Sequence, residues 1–304
     1  MNNKINIKIN LISYNNAYGL TQDLNQLKNN LEKIFPNNID CKFINFYDYE
    51  CRDADINIFL EIISNILIKH AKFNILIPNQ EWFYQDWKPY LGNIDLILVK
   101  TNYAYNIFSN IVSELSFKTQ VDYLGWESPD RLIVNKKIIK QKEFLHLAGK
   151  SIYKQTQNII DYWKPEYPNL TIIYSPKDLK ISPKDQNNIT YITNRMSDQE
   201  LNTILNQKYF HLCVSETEGF GHYVNEAKST KSLVITTQAP PMTELVSKKN
   251  GILVLSKNKK KLKDTLGTRF FIDQNDFNHQ IEQIIRMSND QLKDLSQKAR
   301  QSFE

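Results

Sequence analysis

Cysteine is scarce in this chain. The 304 residues contain 3 cysteines, at positions 41, 51 and 213, and no two of them form a CxxC pair. This count argues against a disulfide framework and against a zinc knuckle. It fits a protein of a reducing compartment, and we expect a cytoplasmic location.

Long apolar runs and arginine are scarce as well. The most apolar stretch, Ile56 to Ile68, is interrupted by Asn57 and Glu61 and is too short to span a bilayer. Polar residues break every apolar run near the start, so we expect no signal peptide. Only six of the 38 basic residues are arginines, and they are dispersed. Because nucleic-acid binders concentrate charge and favour arginine, we expect no stable nucleic-acid partner. Because the apolar runs are short and interrupted, we expect no transmembrane segment.

Apolar residues are plentiful enough for packed cores. They make up 41% of the chain and aromatic residues make up 12%, which excludes disorder of the whole chain. At roughly 150 residues per domain, the length predicts two domains.

In the first half, apolar residues alternate between strand-like and helical spacing. The predicted strands are Ile5 to Ser13, Cys41 to Phe46, Phe73 to Ile77 and Ile94 to Val99. The predicted helices are Leu20 to Ile34, Ile56 to His70 and Ala104 to Leu115.

The alternation begins again after a lysine-rich stretch that follows Asp130. The predicted strands are Glu143 to Ala148, Leu170 to Tyr174, Ile189 to Ile192, His211 to Val214 and Ser232 to Thr236. The predicted helices are Tyr153 to Trp163, Asp198 to Asn206 and one that opens near Tyr223. We interpret the lysine run from Lys257 to Lys263 as a solvated surface loop. The two runs predict an α/β protein with two doubly wound parallel-sheet, Rossmann-like domains, residues 1–132 and 133–304.

Ligands of open parallel sheets bind outside the carboxyl ends of the strands. We therefore expect the loops after the strands of the two domains to face each other across a cleft. The loop residues selected in this way are Asn16, Gly19, Asn79 to Trp82, Lys100, Thr101, Gly149 to Lys154 and Ser215 to Glu226.

The densest chemical signal is the segment EGFG, residues 218–221, and the helix that follows it. Gly219 and Gly221 stand between a predicted strand and a predicted helix, where backbone N–H groups can approach a phosphate. Glu218 and Glu226 are separated by seven residues and can both accept hydrogen bonds from one bound molecule. A nucleoside diphosphate sugar supplies both the hydroxyl groups and the phosphates.

The stretch from Cys213 to Leu245 resembles the donor-binding motif of retaining GT-B glycosyltransferases, in particular glycosyltransferase family 4. In that family a Glu-x7-Glu motif begins with EGFG and runs into a helix. Upstream, Glu143 to Trp163 resembles the strand, basic loop and helix that open the family's C-terminal domain, and Asn188 to Leu205 resembles the segment beside the nucleobase. These segments occur in the family's order. The chain departs from the common pattern at Lys150, where many relatives have arginine, and at His222 and Tyr223, which replace Leu-Pro.

The resemblance implies specific roles. Glu226 is expected to bind the ribose hydroxyls, Glu218 the transferred sugar, and Lys150 and Lys154 the donor diphosphate. The catalytic residues implied are Lys150, Lys154 and Glu218. The donor-binding residues implied are Gly149, Asn194, Arg195, Glu218, Gly219, Phe220, Gly221, His222 and Glu226.

Structural explanations stand beside these roles. The two glutamates can be ordinary helix-start and surface residues, and the two lysines can be surface charges. His222 and Glu226 have the i, i+4 spacing of metal ligands, but no third ligand lies nearby in the sequence. Asp53 and Asp55 form a DxD, which capping of the following predicted helix explains. We therefore expect no metal and no cofactor other than the donor.

The first half offers candidates for the acceptor side of the cleft. Asn79, Glu81 and Trp82 follow a strand, and polar groups beside an aromatic ring suit a sugar. The alternative is a loop anchored in the core by Trp82. Gly19 opens a helix after the first strand, where a plain turn is the alternative. Trp126 and Asp130 mark the connection between the domains, as hinge or as packing residues.

The sequence predicts a metal-independent, retaining hexosyltransferase that moves a sugar from a nucleoside diphosphate sugar to a glycan, lipid-linked or other hydroxyl acceptor. Two rivals remain. One is a non-catalytic, sugar-nucleotide-binding partner subunit, and the other is a glycosyltransferase that modifies nucleic acid.

Overall fold

The computed structural model describes residues 6–14, 19–47, 51–134 and 138–304, so Asn16 lies outside the described residues. The chain divides into two compact units. Unit 1 contains Met1–Trp126 and the segment Leu262–Gly267, and unit 2 contains Glu127–Lys261 and Thr268–Glu304.

Unit 1 is built on a six-stranded parallel sheet with the strand order β2-β1-β3-β4-β5-β6. The strands are β1 Ile7–Ser13, β2 Ile39–Asn45, β3 Ala54–Leu60, β4 Ala71–Ile77, β5 Leu96–Val99 and β6 Gln120–Tyr123. The helices are α1 Gly19–Ile34 and α2 Asn102–Glu114, and short 3-10 helices cover Ile68–His70 and Gln85–Asn93. Thr101 is the N-cap of α2, and its side chain accepts a hydrogen bond from the N–H of Ala104.

The predicted helix from Ile56 to His70 is wrong. Residues 54–60 form β3, which pairs with β1 and β4 in the middle of the sheet. Ile58, Phe59 and Leu60 are all buried, because a central parallel strand is covered on both faces. The helical spacing arises because Ile56, Leu60, Ile63 and Leu67 recur at intervals of three or four residues across β3 and the segment that follows it.

A row of asparagine side chains crosses the middle of this sheet. Asn57 on β3 accepts a hydrogen bond from Asn10 on β1 at 3.0 Å and donates one to Asn74 on β4 at 3.1 Å. The three amides satisfy one another inside the sheet, so their burial leaves these polar groups hydrogen-bonded.

Unit 2 contains a seven-stranded sheet with the order β13-β12-β11-β10-β7-β8-β9. Its strands are β7 Gln141–Gly149, β8 Leu170–Tyr174, β9 Ile189–Ile192, β10 Lys208–Cys213, β11 Leu233–Gln238, β12 Ile252–Lys261 and β13 Thr268–Ile272. Its helices are α3 Thr156–Tyr162, α4 Asp198–Gln207, α5 His222–Ser229, α6 Met242–Leu245, α7 Gln274–Arg286 and α8 Asn289–Gln301. Only the β12–β13 pair is antiparallel among the described strand pairs.

The lysine run is exposed, as predicted, but most of it is not a loop. Lys257 to Lys261 belong to β12 and pair with β13. Lys257 also forms an ion pair with Asp273 at 2.8 Å. The lysines are solvated because this end of the hairpin has no layer packed over it, and lysine is well tolerated on such exposed strands.

The core of unit 2 fixes the central strands on which the functional loops stand. Trp163 at the end of α3 is fully buried, with its ring 5.0 Å from that of Phe144 on β7. Phe144 in turn lies 4.6 Å from the ring of Phe210 on β10. The two parallel α/β units confirm the predicted fold class. Within the described residues we find no helix of the length and apolar character that a membrane crossing requires.

Candidate active site

Two neighbouring strands in the middle of the unit 2 sheet bring the predicted donor residues together. The loop after β7 begins at Lys150, and the loop after β10 runs from Val214 to Gly221. The N–H of Glu216 in the second loop donates to the carbonyl of Tyr153 in the first at 2.7 Å. The carboxyl ends of β7 and β10 therefore carry one connected group of loops.

Glu218 is held on the second loop by a neighbouring hydroxyl. Its carboxylate accepts a hydrogen bond from Oγ of Ser215 at 2.5 Å, and the same hydroxyl contacts the hydroxyl of Tyr223 on α5. Burial raises the pKa of Glu218, and Lys154 and the Ser215 hydrogen bond act in the opposite direction. The loop thus presents a fixed, partly desolvated carboxyl group beside a lysine.

Lys154 lies against the ring of Tyr223. Its Nζ donates to the carbonyl of Leu147 at 3.1 Å and stands 3.6 Å from the centre of the Tyr223 ring. Burial lowers the pKa of Lys154, whereas the charges of Glu218 and Glu226 raise it. The structure therefore brings one predicted lysine and both predicted glutamates into electrostatic contact.

Helix α5 begins at a glycine for a steric reason. Gly221 is the N-cap and has φ 97°, which is in the left-handed region that side chains with a Cβ avoid. A Cβ at Gly221 would also lie 2.8 Å from Cδ1 of Leu245. The buried residues Gly219 and Phe220 precede it. Helix α5 thus begins directly after a tight turn, and the N-terminus of a helix is a favourable place for an anion.

Glu226, one turn into α5, is paired with an arginine that the sequence analysis did not select. Nε and Nη2 of Arg131 each lie 3.1 Å from Oε1 of Glu226. The backbone of Arg131 is itself fixed, because its N–H donates to Oγ of Ser229 at 3.0 Å. Arginine is rare in this chain, and a single arginine inside a lysine-rich connection was the signal that could have identified it.

A second missed pair stabilises the loop that carries Glu218. The buried carboxylate of Glu216 accepts a hydrogen bond from Nε of Arg269 on β13, and its carbonyl accepts one from Phe270 at 2.8 Å. Gln155, whose backbone φ is 50°, links the loop after β7 to β13. Its Oε1 accepts a hydrogen bond from the N–H of Ile272 at 3.0 Å. Glu216 therefore positions the loop and does not face a ligand.

The comparisons with known proteins agree with this geometry. The model of the family described as glycosyl transferases group 1 matches residues 177–302. Among solved structures, HepE of Anabaena in complex with UDP and glucose is 13% identical with a TM-score of 0.65, covering 98% of this chain and 96% of that chain. Sucrose-phosphate synthase of Thermosynechococcus elongatus is 10% identical with a TM-score of 0.67, covering 98% of this chain and 94% of that chain. The chain has the GT-B fold.

A further solved structure is longer than this GT-B chain. The pneumococcal O-GlcNAc transferase GtfA, in complex with UDP and GlcNAc, is 14% identical with a TM-score of 0.61 over 83% of this chain and 54% of that chain. The chain therefore spans about half the length of GtfA. A search of curated proteins found no sequence match.

The other predicted donor residues lie at the ends of β7 and β9. Gly149 has φ 57°, and the space that a Cβ would fill there is open. Lys150 is exposed, and its Nζ lies 3.7 Å from the Asp178 carboxylate after β8. Asn194 and Arg195 are exposed after β9, which is the edge strand of the sheet. Their roles toward a donor stay predictions.

In the structure, the residues of the two alternative metal sites contact other side chains. His222 shares a hydrogen bond with Oγ of Ser128 at 2.9 Å through Nδ1. Asp53 lies 3.0 Å from His70, and Asp55 lies 2.9 Å from Lys72. The capping role predicted for the DxD is wrong, because β3 begins there in place of a helix. Among the residues that the structure describes, no group of three His, Cys, Asp or Glu side chains is arranged to hold a metal.

The candidates in unit 1 of the GT-B fold follow β4 and open α1. Nδ2 of Asn79 donates to Oε2 of Glu61 at 2.9 Å. Glu81 is buried, whereas Trp82 is 39% exposed, so the alternative of a loop anchored by Trp82 is wrong. The fully buried anchor is the next residue, Phe83. Gly19 is the first residue of α1.

The connection residues have packing roles. Nε1 of Trp126 donates to Asp23 at 2.8 Å inside unit 1, and Asp130 accepts two hydrogen bonds from Arg300 at 2.7 and 2.8 Å inside unit 2. Both side chains are fixed by partners within their own unit.

Proposed function

We propose that this protein is a retaining glycosyltransferase that moves a sugar from a nucleoside diphosphate sugar to an acceptor hydroxyl. One observation carries the proposal. Lys154 stands 3.6 Å from the ring of Tyr223, and Glu218 is linked to the Tyr223 hydroxyl through Ser215. Glu226 lies one turn into the same helix, so a cation and two carboxyl groups are grouped at the N-terminus of α5. A nucleoside diphosphate sugar has matching groups, namely a diphosphate and two sets of hydroxyls.

The donor is bound from both ends. Both nitrogen atoms of Arg131 bond to Oε1 of Glu226, which leaves Oε2 to accept a ribose hydroxyl. Glu218, held by Ser215, accepts hydrogen bonds from the sugar that is transferred. The diphosphate lies between them, against the first N–H groups of α5 and Lys154. UDP in the HepE and GtfA complexes supports a nucleotide in this fold and makes UDP-sugars the first donors to test.

The reaction exchanges one bond at the anomeric carbon. The bond from this carbon to the diphosphate oxygen breaks, and a bond to the acceptor oxygen forms on the same face. The acceptor's proton passes to the departing phosphate oxygen, so no separate protein base is required. Lys154 and the N–H dipoles stabilise the charge that grows on the diphosphate, and this charge stabilisation is the main catalytic contribution. We propose that the reaction needs no metal, because these groups supply the positive charge.

The test is a thermal-shift screen of the full chain with UDP-, GDP- and ADP-sugars, followed by turnover assays with each donor that binds. A ligand that binds only the folded state raises its apparent stability. We expect one nucleotide class to bind, and NMR of the product to show the donor's anomeric configuration. Inversion of configuration would contradict the retaining mechanism, and binding of no sugar nucleotide would contradict the whole proposal.

The same screen distinguishes the two rivals. Binding of a donor with no hydrolysis and no transfer favours the partner subunit. Transfer to DNA or RNA, with salt-sensitive binding, favours the nucleic-acid acceptor. We place the activity in the cytoplasm, since Cys41, Cys51 and Cys213 are all free thiols, as a reducing compartment maintains them.

A further inference from the structure

Tyr223, the second residue of α5, contacts both halves of the proposed donor site. Nζ of Lys154 lies over the face of its ring, 3.6 Å from the ring centre. The Tyr223 hydroxyl contacts Oγ of Ser215, and this serine donates a hydrogen bond to Glu218 at 2.5 Å. One side chain thus connects the lysine that we expect at the diphosphate with the carboxyl group that we expect at the sugar.

The Tyr223 side chain is itself held in place. It is buried, and Sγ of Cys213 donates to its backbone carbonyl at 3.8 Å. The ring belongs to a small apolar cluster of unit 2 that also contains Cys213, Val224, Ala227, Val234 and Val246. Because a packed ring has little room to move, the position of its face and the position of its hydroxyl are set together.

Ser215, the link between Tyr223 and Glu218, is also fixed. It is fully buried, and its carbonyl accepts a hydrogen bond from Oγ1 of Thr237 on β11 at 2.6 Å. Its N–H donates to the carbonyl of Cys213 at 3.1 Å. The backbone of this serine therefore holds Oγ at a defined point between the phenol and the carboxylate.

The two hydrogen bonds of this chain run in one direction. A serine hydroxyl has a single proton, and Ser215 donates it to Glu218, so Tyr223 is the donor in the contact between the two hydroxyls. Donation from the phenol polarises the serine hydroxyl and strengthens its bond to the carboxylate. Burial raises the pKa of Tyr223 above its ordinary value, so the phenol keeps the proton that this arrangement needs.

The ring face fixes Lys154. An ammonium group is attracted to the negative face of an aromatic ring. Nζ of Lys154 also donates to the carbonyl of Leu147 on β7 at 3.1 Å, so the lysine is held between this strand and α5. A lysine side chain loses much conformational freedom when it is fixed. Since the structure has fixed it beforehand, a bound diphosphate loses less free energy in ordering it.

Tyr223 stands at one of the two positions of the helix start where the chain departs from the common pattern of the family that it resembles. The pattern has proline there. Proline has neither an aromatic ring nor a hydroxyl group, so neither of the two contacts can form with it. The link between Lys154 and Glu218 is therefore a property of this sequence.

We propose that Tyr223 is a positioning residue of the donor site, which holds Lys154 with its ring and Glu218, through Ser215, with its hydroxyl. The inference rests on the proposed nucleoside diphosphate sugar. It implies that the two contacts can be separated by substitution. Loss of the hydroxyl affects the sugar half of the donor, whereas loss of the whole ring affects the diphosphate half as well.

The experiment measures the binding of UDP, UDP-glucose and UDP-N-acetylglucosamine to the full chain by isothermal titration, with the GDP or ADP counterparts if the screen selects that nucleotide. Tyr223→Phe removes the hydroxyl and keeps the ring. It should weaken the sugar nucleotide roughly three- to tenfold and leave the free nucleoside diphosphate within about twofold. Tyr223→Leu removes both contacts and should weaken the free nucleoside diphosphate roughly threefold or more as well.

Ser215→Ala tests whether the hydroxyl acts through the serine. It should weaken the sugar nucleotide at least as much as Tyr223→Phe does. The double variant should lose no more than Ser215→Ala alone, because the two hydroxyls act as one unit. Additive losses would overturn the proposed link to Glu218.

Tyr209 supplies the matched controls at the other end of β10. Its hydroxyl shares a hydrogen bond with Oγ of Ser296 at 3.1 Å, and Nζ of Lys140 lies 5.6 Å from its ring centre, so it makes the same two kinds of contact. Tyr209→Phe and Tyr209→Leu should bind both ligands like the unmodified protein. Circular dichroism checks the fold of every variant, and if Tyr223→Leu does not fold, Tyr223→Phe and Ser215→Ala decide the result.

Two results would overturn the inference and leave the proposed donor in place. One is a Tyr223→Phe protein that binds the sugar nucleotide as tightly as Tyr209→Phe, and the other is an equal loss of sugar nucleotide and free nucleoside diphosphate in Tyr223→Phe. If the unmodified protein binds none of the UDP, GDP and ADP ligands, the proposed function fails and the inference fails with it.

Discussion

The guanidinium of Arg131 holds one oxygen of Glu226 with two nitrogen atoms, each at 3.1 Å. Arg131 belongs to the segment that enters unit 2, and Glu226 lies on the helix after the glycine turn. The carboxylate is therefore oriented before any ligand binds. A preoriented group loses less conformational freedom on binding, so we expect this pair to raise donor affinity through the proposed role of Glu226.

Glu226→Ala should weaken the binding of a nucleoside diphosphate sugar. One charge-assisted hydrogen bond is worth on the order of 1.5–3 kcal/mol, so affinity should fall roughly tenfold or more. Isothermal titration with the donor that binds best gives the measurement, and circular dichroism checks the fold. The control is Glu166→Ala, an exposed carboxylate of unit 2. Unchanged affinity in a folded Glu226→Ala protein would show that this carboxylate does not bind the donor.

Arg131→Ala should weaken donor binding through Glu226 alone. The donor KM should rise while kcat changes little, because Arg131 orients a group that binds the ribose and does not touch the reacting atoms. In the double variant with Glu226→Ala, the loss should equal that of Glu226→Ala alone, since the two residues act as one unit. Additive losses would mean that Arg131 contacts the donor itself.

Activity should survive an excess of EDTA. In the proposed mechanism Lys154 and the α5 N–H groups supply the positive charge that a cation supplies in a metal-dependent enzyme, so chelation should remove nothing from the reaction. The measurement is the initial rate of transfer before and after chelation. Loss of activity with recovery by Mn²⁺ or Mg²⁺ would contradict this and would bring Asp53 and Asp55 back into consideration.

The C-terminal half of the fold was more predictable than the N-terminal half. Leu170–Tyr174 and Ile189–Ile192 are strands at their predicted bounds, because short apolar runs there end at turn residues. The predicted helix over Ile56 failed because apolar residues at helical spacing run from β3 into the segment that follows it. The hairpin of β12 and β13 was not predicted, because its lysines are typical of a solvated loop.

Some residues of the candidate site could be predicted from the sequence and others could not. Glu218 and Glu226 could be selected from the glycine turn and their spacing, and Lys154 from the family resemblance. Arg131 was missed, because its contact with Glu226 spans 95 residues of sequence. Glu61 was hidden inside the supposed helix, and its left-handed backbone is a property that only the fold imposes.

Acid should destabilise the protein through His146. Burial lowers the pKa of His146 to about 4, from an ordinary value near 6.5. The unfolded chain therefore binds a proton first as pH falls, and the stability that neutral His146 contributes above about pH 6.5 declines on the way to pH 4. The loss is on the order of 2 kcal/mol by about pH 5.

Urea unfolding at about pH 7.5 and pH 5 measures this effect. His146→Gln should lower stability at the higher pH and show a smaller decline between the two. His279→Gln, an exposed control on α7, should show the decline of the unmodified protein. Equal declines in all three proteins would remove His146 as the cause.

Lys154 should matter more for the reaction than for donor binding. Its Nζ is buried against Tyr223, and the charges of both site carboxylates act on it, so we expect it to supply fixed positive charge where the diphosphate departs. Charge grows on that group as the glycosidic bond breaks, so Lys154 binds the transition state better than the ground state. Lys154→Ala should lower kcat by about 10²-fold or more, comparable to the loss of an oxyanion-hole donor, and raise the donor KM less.

Lys154→Arg keeps the charge and should recover part of the rate. Because burial lowers the pKa of Lys154, the unmodified enzyme should lose activity at a lower alkaline pH than the arginine variant, which stays protonated. Lys259→Ala, which removes an exposed lysine of β12, is the matched control and should be near neutral. If Lys154→Ala retains the kcat of Lys259→Ala while the unmodified enzyme turns over, the positive charge on the leaving diphosphate comes from elsewhere in the loop. The exposed Lys150 is then the next residue to replace, since it stands at the start of the same loop.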